Sequence, residues 1–134
     1  MIEKTLSIIK PDAVERNLVD DIKSIFAKNN LSVKDSKKIH ISKEEASEFY
    51  KVHQSKPFYD ALCSYLSSGP ILVMILEGEN AISENRKIMG ATNPKDAEPN
   101  TIRKLYGISI DKNSVHGSDS LENAKKEINF FFKN

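Results

Sequence analysis

His116 is followed by Gly117, Ser118 and Asp119, just ahead of a run with helical spacing. A neutral imidazole, with an ordinary pKa of about 6.5, is largely unprotonated at pH 7 and can act as a nucleophile. Gly117 removes a Cβ beside it and lets a bulky group approach. On spacing alone the segment reads first as a helix-capping turn with a histidine before it. His40 and His53 have no partner at a recognisable spacing and read as surface histidines.

The cations that could serve such a nucleophile are unevenly chosen. Lysine plus arginine number 20, and only Arg16, Arg86 and Arg103 are arginine. Arginine offers a planar fork that binds phosphate oxygens in pairs and never loses its charge. Thr92, in Gly90-Ala91-Thr92-Asn93-Pro94, can donate a hydroxyl to the same phosphates or cap a turn. Lys10 stands at the end of a strand pattern beside Pro11 and Asp12. No Gly-x-x-x-x-Gly-Lys-Ser/Thr is present, so a phosphate site here must be built from side chains.

Composition bounds the classes. The chain has 134 residues and a net charge of +1, one domain's worth of polypeptide, expected as a single domain over 1–134. The charge balance argues against a sequence-independent nucleic-acid binder. Cys63 is the only cysteine, which excludes an intramolecular disulfide and a cysteine zinc cluster. The longest apolar run, Ile71 to Leu76, is far short of a membrane span. The N-terminus lacks the apolar stretch of a secretory signal, so a cytoplasmic protein without a membrane partner is expected.

Elements that would position these residues follow from period and punctuation. Thr5 to Lys10 reads as a strand ended by Pro11. Leu18, Ile22, Ile25 and Phe26 stripe a helix that stops at Asn29-Asn30. Leu31, Val33, Ile39 and Ile41 alternate as in a half-exposed strand. Ser42 and Glu45 have capping-box spacing. Pro57 suits the first turn of a helix striped by Phe58, Ala61, Leu62, Tyr65 and Leu66, stopped by Gly69-Pro70. Ile71–Leu76 is a buried strand, and Asn80 a helix N-cap ahead of a helix through Met89. Ala91 to Asp111 reads as a long loop. Ser114-Val115-His116 reads as a short last strand, and Asp119 with Glu122 as the cap of a final helix striped by Leu121, Ala124, Ile128 and Phe131. The order β-α-β-α-α-β-α-loop-β-α predicts an α+β, ferredoxin-like split βαβ fold: an antiparallel four-stranded sheet covered by helices.

In sequence order, several segments together resemble nucleoside diphosphate kinases over nearly the whole chain. They are Ser7-Ile8-Ile9-Lys10-Pro11-Asp12-Ala13-Val14, Ser68-Gly69-Pro70, Leu76-Glu77-Gly78-Glu79-Asn80-Ala81 and Asn85-Arg86. Then come Met89-Gly90-Ala91-Thr92-Asn93-Pro94, Thr101-Ile102-Arg103 and Asn113-Ser114-Val115-His116-Gly117-Ser118-Asp119-Ser120. The resemblance implies γ-phosphate transfer from a nucleoside triphosphate to a diphosphate, by a ping-pong route through a phosphohistidine and with little base specificity. It implies His116 as the phosphate acceptor. Lys10, Arg86, Thr92 and Arg103 become the phosphate cradle, with Lys10 and Asn113 near the ribose. Tyr50 lies beside the phosphate path, Phe58 stacks on the base with Leu62 nearby, and Ser118 and Glu127 back the histidine. Mg²⁺ is expected on the nucleotide's own phosphates. A homo-oligomer built from dimers, tetramer or hexamer, is also implied.

Three departures from the family pattern stand out. Asn100 replaces a usual glycine; it is the next most tolerant residue for positive φ. Leu105 stands where an acid is common, and Asp20 where a glycine is usual. The chain stops soon after Phe130-Phe131-Phe132, a triple expected to pack into a core or an interface. A catalytically reduced nucleotide-binding or partner-binding module on the same fold is the alternative. An RNA-binding domain ranks lowest, because Thr5–Lys10 and Ile71–Leu76 carry no aromatic residue.

Overall fold

The computed structural model describes residues 2–109 and 112–132. Four strands, β1 (Ile2–Ile9), β2 (Ser32–Ile39), β3 (Ile71–Glu79) and β4 (Val115–Gly117), form one sheet in the order β2-β3-β1-β4. Every neighbouring pair is antiparallel, with Leu6 opposite Ile75 and Ile8 opposite His116. Among the described residues seven α-helices accompany it: α1 (Pro11–Glu15), α2 (Val19–Lys28), α3 (Lys43–Phe49), α4 (Tyr59–Leu66), α5 (Ala81–Met89), α6 (Ile102–Tyr106) and α7 (Leu121–Phe131). This is the split βαβ arrangement predicted from the element order.

The sheet has a core on each face, which explains the unbroken apolar run in β3. Ile9, Leu72, Met74 and Leu76 pack with Ile22 and Phe26 of α2 and Met89 of α5. Leu6, Ile8, Ile71 and Val73 pack with Ala46 of α3, Cys63 and Leu66 of α4 and Phe131 of α7. Strand alternation sends Leu6 and Ile8 one way and Ile9 the other.

Several boundaries differ from the sequence reading, each for a local reason. β1 stops at Ile9, and Lys10 instead caps α1, with Pro11 in its first turn. β2 is narrower than the alternation suggested. Leu31 and Ile41 are buried but lie outside it, and Val33 is exposed, because β2 is a sheet edge with a bulge between Val33 and Asp35. The capping box at Ser42 is present, with reciprocal bonds to Glu45 of 3.0 and 3.1 Å. α4 starts two residues after Pro57, and its buried side is Cys63 and Leu66, with Ala61 exposed. Asn80 precedes α5 in a left-handed conformation and makes no side-chain cap.

The stretch expected as one long loop holds a 3₁₀ turn, Pro94–Asp96, and then α6, capped by the Thr101 side chain. Its expected end, Asp111, lies outside the described residues. Asn100 has φ +68°, the conformation for which asparagine was the tolerant substitute. α7 is capped by Ser120, which accepts from the Asn123 amide. The expected cap, Asp119, accepts instead from the Asn123 side chain. Leu121 faces solvent. Of the phenylalanine triple, Phe131 is core, Phe132 lies beneath the Lys37 ammonium, and Phe130 is 37% exposed.

Candidate active site

A cavity of about 750 Å³ opens where β4, α3, α4, α5, α6 and α7 meet, and His116 lies in its wall. β4 presents His116 on the opposite face from Val115 and Gly117, which turn toward α5. Gly117 is required by space: a Cβ there would come within 2.4 Å of Asn85 Nδ2 and 2.8 Å of Met89 Sδ. A larger residue there would force the Asn85 and Met89 side chains, or β4 itself, to shift.

The imidazole is oriented by a short relay. Its Nε2 lies 2.8 Å from Glu127 Oε1 on α7, and the same oxygen accepts from Ser118 Oγ at 2.8 Å. Ser118 is buried, and its Oγ accepts from the Leu6 amide at 3.2 Å, so the relay is anchored to β1. An ionised carboxylate only accepts hydrogen bonds, so Glu127 selects the tautomer with hydrogen on Nε2. Nδ1 then keeps its lone pair. Phe49 and Tyr50 meet the imidazole edge-on, at centroid distances of 5.4 and 6.4 Å.

Lys10, Arg86 and Arg103 share the cavity wall with it, as do Lys51 and Lys126. Lys10 is buried, and its Nζ donates to Asn113 Oδ1 at 2.9 Å. Asn113 Nδ2 donates to the Thr92 carbonyl at 3.1 Å, so Lys10, Asn113 and Thr92 form one chain of contacts. Arg86, on α5, is exposed. Arg103 is buried and bridges two segments, donating from Nη1 to the Gly90 carbonyl at 3.0 Å and from Nη2 to the Val115 carbonyl at 2.9 Å. Gly90 has φ +88° and no room for a Cβ beside Thr101, which is why the chain can bring that carbonyl to Arg103. The Arg103 Nε is buried without a partner among the described residues. Burial, and then the neighbouring Arg86, pull the Arg103 pKa down to about 10, still protonated at neutral pH.

Phe58 and Leu62 line the cavity as well. Phe58 is 47% exposed, at the N-terminus of α4, with the Lys56 ammonium 5.7 Å from its ring centroid. Tyr50 lies in the same wall. Burial, and then the charge of Glu127, hold its phenol well above the ordinary value, so it stays neutral. Of the residues singled out in the sequence, Ser118 alone stands behind the wall; the other ten line it.

Sequence reading missed four contributors. His53 is no simple surface residue. The 3₁₀ turn Lys51–His53 brings it to the cavity, with its ring 6.2 Å from Tyr50 and 6.0 Å from Phe58 and its Nδ1 buried. Burial, then Lys56 and His116, hold its pKa below the ordinary value. Its position three residues after Tyr50 was the available signal. Asp119 lines the cavity with its pKa lowered chiefly by the Asn123 hydrogen bond, so it is ionised. Phe49 and Phe130 complete the wall, their rings 5.6 Å apart. His40 lies elsewhere, just beyond β2, with Nε2 at 2.8 Å from the Ser67 carbonyl.

The geometry therefore brings an imidazole nitrogen, cations able to hold an oligophosphate and an aromatic ring to one cavity. Residues 3–134 match the family model described as nucleoside diphosphate kinase. The chain is 56% identical over 131 residues to the nucleoside diphosphate kinase of Nitratiruptor sp., covering 98% of this chain and 96% of that protein. It is likewise 56% identical to that of Campylobacter concisus, with the same coverage. Among solved structures it is similar to the nucleoside diphosphate kinase of Aquifex aeolicus, with TM-score 0.98, 40% identity and coverage of 100% and 97%. It is also similar to the halophilic enzyme of Halobacterium salinarum solved with CDP, with TM-score 0.95, 39% identity and coverage of 100% and 90%.

Proposed function

The chain belongs to the nucleoside diphosphate kinase family, and from that premise we propose that it moves a γ-phosphate between nucleotides on Nδ1 of His116. The activity itself, phosphoryl transfer from nucleoside triphosphate to diphosphate, follows from the family. The residue assignment rests on one observation above all: Glu127 occupies Nε2 of a histidine that lines the same cavity as Lys10, Arg86 and Arg103, which leaves Nδ1 as the ring nitrogen for the phosphate.

In the first half-reaction the Nδ1 lone pair forms a bond to the γ-phosphorus, and the bond to the β–γ bridging oxygen breaks. The diphosphate departs with that electron pair. The second half-reaction is the reverse with a different diphosphate. The imidazole becomes cationic as the new bond forms, and Glu127, itself held by Ser118, stabilises that charge. Arg86, Arg103, Lys10 and the Thr92 hydroxyl neutralise and position the transferring group, which is most of what phosphoryl transfer asks of a protein. Lys10 and Asn113 meet the ribose hydroxyls.

Among the described residues no group of three or more His, Cys, Asp or Glu is placed to hold a metal ion, and Lys10, Arg86 and Arg103 line the cavity, which suits a magnesium ion that arrives on the nucleotide's phosphates and water. Bound there, Mg²⁺ spreads phosphate charge and favours the geometry of transfer.

Phe58 reads the base by its π-face, with Leu62 beside it. Stacking contributes about 1–3 kcal/mol per base and needs no hydrogen-bond code. Phe58→Ala is accordingly expected to raise KM for ADP, GDP, CDP and UDP alike, by about tenfold. A loss confined to one base, in a side-by-side steady-state assay, would refute stacking as the reader.

We further propose a single kinase domain over 1–134, a cytoplasmic location, and a homo-oligomer built from dimers, as tetramer or hexamer. Among the described residues, no helix is long and apolar enough to cross a membrane. Exposed apolar side chains, among them Leu105 and Ile108 at 51% and 58% exposure, support self-association. Light scattering on the purified protein reads the assembly directly. The reduced, non-catalytic module is not favoured.

The direct test uses γ-labelled ATP. The protein should take up one acid-labile, base-stable label and pass it to GDP as GTP. An unlabelled wild-type protein overturns the assignment.

A further inference from the structure

The third arginine, Arg16, and the carboxylate of Asp12 lie outside the cavity, yet they tie together the segments that form it. Asp12 is buried near the start of α1. Its Oδ1 accepts from the phenol of Tyr65 on α4, and its own amide donates back to that phenol at 2.8 Å. Its Oδ2 accepts from Ser114 Oγ at 3.0 Å and from Arg16 Nη2 at 3.1 Å. Arg16 Nη2 also reaches the Tyr106 carbonyl at the end of α6, at 2.5 Å, while its Nε donates to the Asp12 carbonyl at 3.0 Å. One buried carboxylate thus joins α1, α4, α6 and the segment entering β4.

Ser114 is the point at which this cluster meets the site. It has φ +74°, a left-handed conformation that a residue with a side chain keeps only where its surroundings hold it. Its carbonyl accepts from the Lys10 amide at 2.8 Å. On one side stands Asn113, bonded to Lys10 Nζ. On the other stands Val115, whose carbonyl accepts from Arg103, and then His116.

We propose that Asp12, held by Tyr65 and Arg16, is a positioning residue for phosphoryl transfer. It fixes the Ser114 turn, and through that turn it sets Asn113, Arg103 and His116 relative to one another. The proposal rests on the roles given to those residues above. A carboxylate suits the task because every neighbour pointing at it, Tyr65, Ser114 and Arg16, is a donor. Asparagine has the same shape but turns an NH₂ toward those donors, so it loosens the turn without opening a cavity.

The test compares the wild type, Asp12→Asn, Ser114→Gly and the double variant, with Lys34→Ala as a distant control. The rate of label uptake by His116 from γ-labelled ATP is followed in a single turnover, well below each variant's melting temperature. Steady-state kcat and KM are measured alongside. Asp12→Asn is expected to slow uptake tenfold or more and to lower kcat more than it raises KM. Ser114→Gly removes the hydroxyl that ties the turn to Asp12 and frees the backbone, so alone it should slow uptake severalfold. In the Asp12→Asn background, where that tie is already loosened, it should add little further loss, an interaction between sites that general destabilisation does not produce. Tyr65→Phe, which removes only the hydroxyl, should show a smaller loss in the same direction, and it decides the matter if Asp12→Asn does not fold.

Uptake at the wild-type rate in Asp12→Asn overturns the proposal, or in Tyr65→Phe should Asp12→Asn not fold. So do losses in Asp12→Asn and Ser114→Gly that simply multiply. A wild type that takes up no label overturns the phosphohistidine reading first, and this inference with it.

Discussion

Substituting His116 by alanine is expected to lower kcat/KM for ATP-to-GDP transfer by at least about 10⁴-fold, with the melting temperature little changed. Removing a nucleophile that carries a covalent intermediate eliminates the reaction path, and losses of this order or larger are typical for such residues. The fold should tolerate the change. The imidazole lies at the cavity wall and is only partly buried, so alanine removes its edge contacts with Phe49 and Tyr50 without emptying a core position. Glu127 keeps its bond from Ser118 and is not left as a buried unpaired charge. A coupled steady-state assay checks the rate and a thermal melt checks the fold. Residual activity within a hundredfold of wild type would mean that the phosphate does not pass through His116.

Arg103→Lys should cost about 10²-fold in kcat/KM, whereas Lys104→Ala, its sequence neighbour, should stay within about twofold. Removing one preorganised donor from a site of developing charge typically costs 10²–10³-fold. The two Arg103 terminal nitrogens bridge the Gly90 and Val115 carbonyls, and each carries a second N–H for the incoming phosphate. A lysine ammonium is a single point at the end of a flexible stem. It cannot span both carbonyls and still face the nucleotide. It also leaves a carbonyl short of a donor, so a modest stability loss of about 1–3 kcal/mol should accompany the rate loss. Lys104 is exposed, and its Nζ is only 3.5 Å from the Lys95 carbonyl. Equal losses from the two substitutions, in parallel assays, would remove the fork from the account.

How legible all this was in the sequence depended on element length and on what lies beside each element. The stripe Leu18, Ile22, Ile25, Phe26 and the reciprocal Ser42–Glu45 cap were readable because ten-residue helices and box motifs express their own period. α1 and α6 have five residues each, too few for a period to show, so one was missed and the other read as loop. The burial of β2 could not be read, because an edge strand's exposure depends on what fails to cover it. At α7, Asp119 and Ser120 are both competent caps one residue apart, and only the Asn123 side chain's claim on Asp119 decides between them. The positions of the cavity residues came from the resemblance. Residue types alone left His116 as a capping turn, and a lone histidine motif carries no more than that. Asp12 was invisible because it looks solvated in one dimension and partners distant in the chain, Tyr65 and Ser114, bury it. His53 carried only a weak local signal, its spacing from Tyr50.

The central claim is that His116 carries the phosphate on Nδ1 because Glu127 holds Nε2. The most direct measurement is nuclear magnetic resonance of the phosphoenzyme, prepared with ¹⁵N-histidine and trapped after reaction with ATP. Phosphorus–nitrogen coupling identifies the phosphorylated ring atom. Phosphate on Nδ1 of His116, with a proton retained on Nε2, is the result predicted. Phosphate on Nε2, or on a residue other than His116, would contradict it.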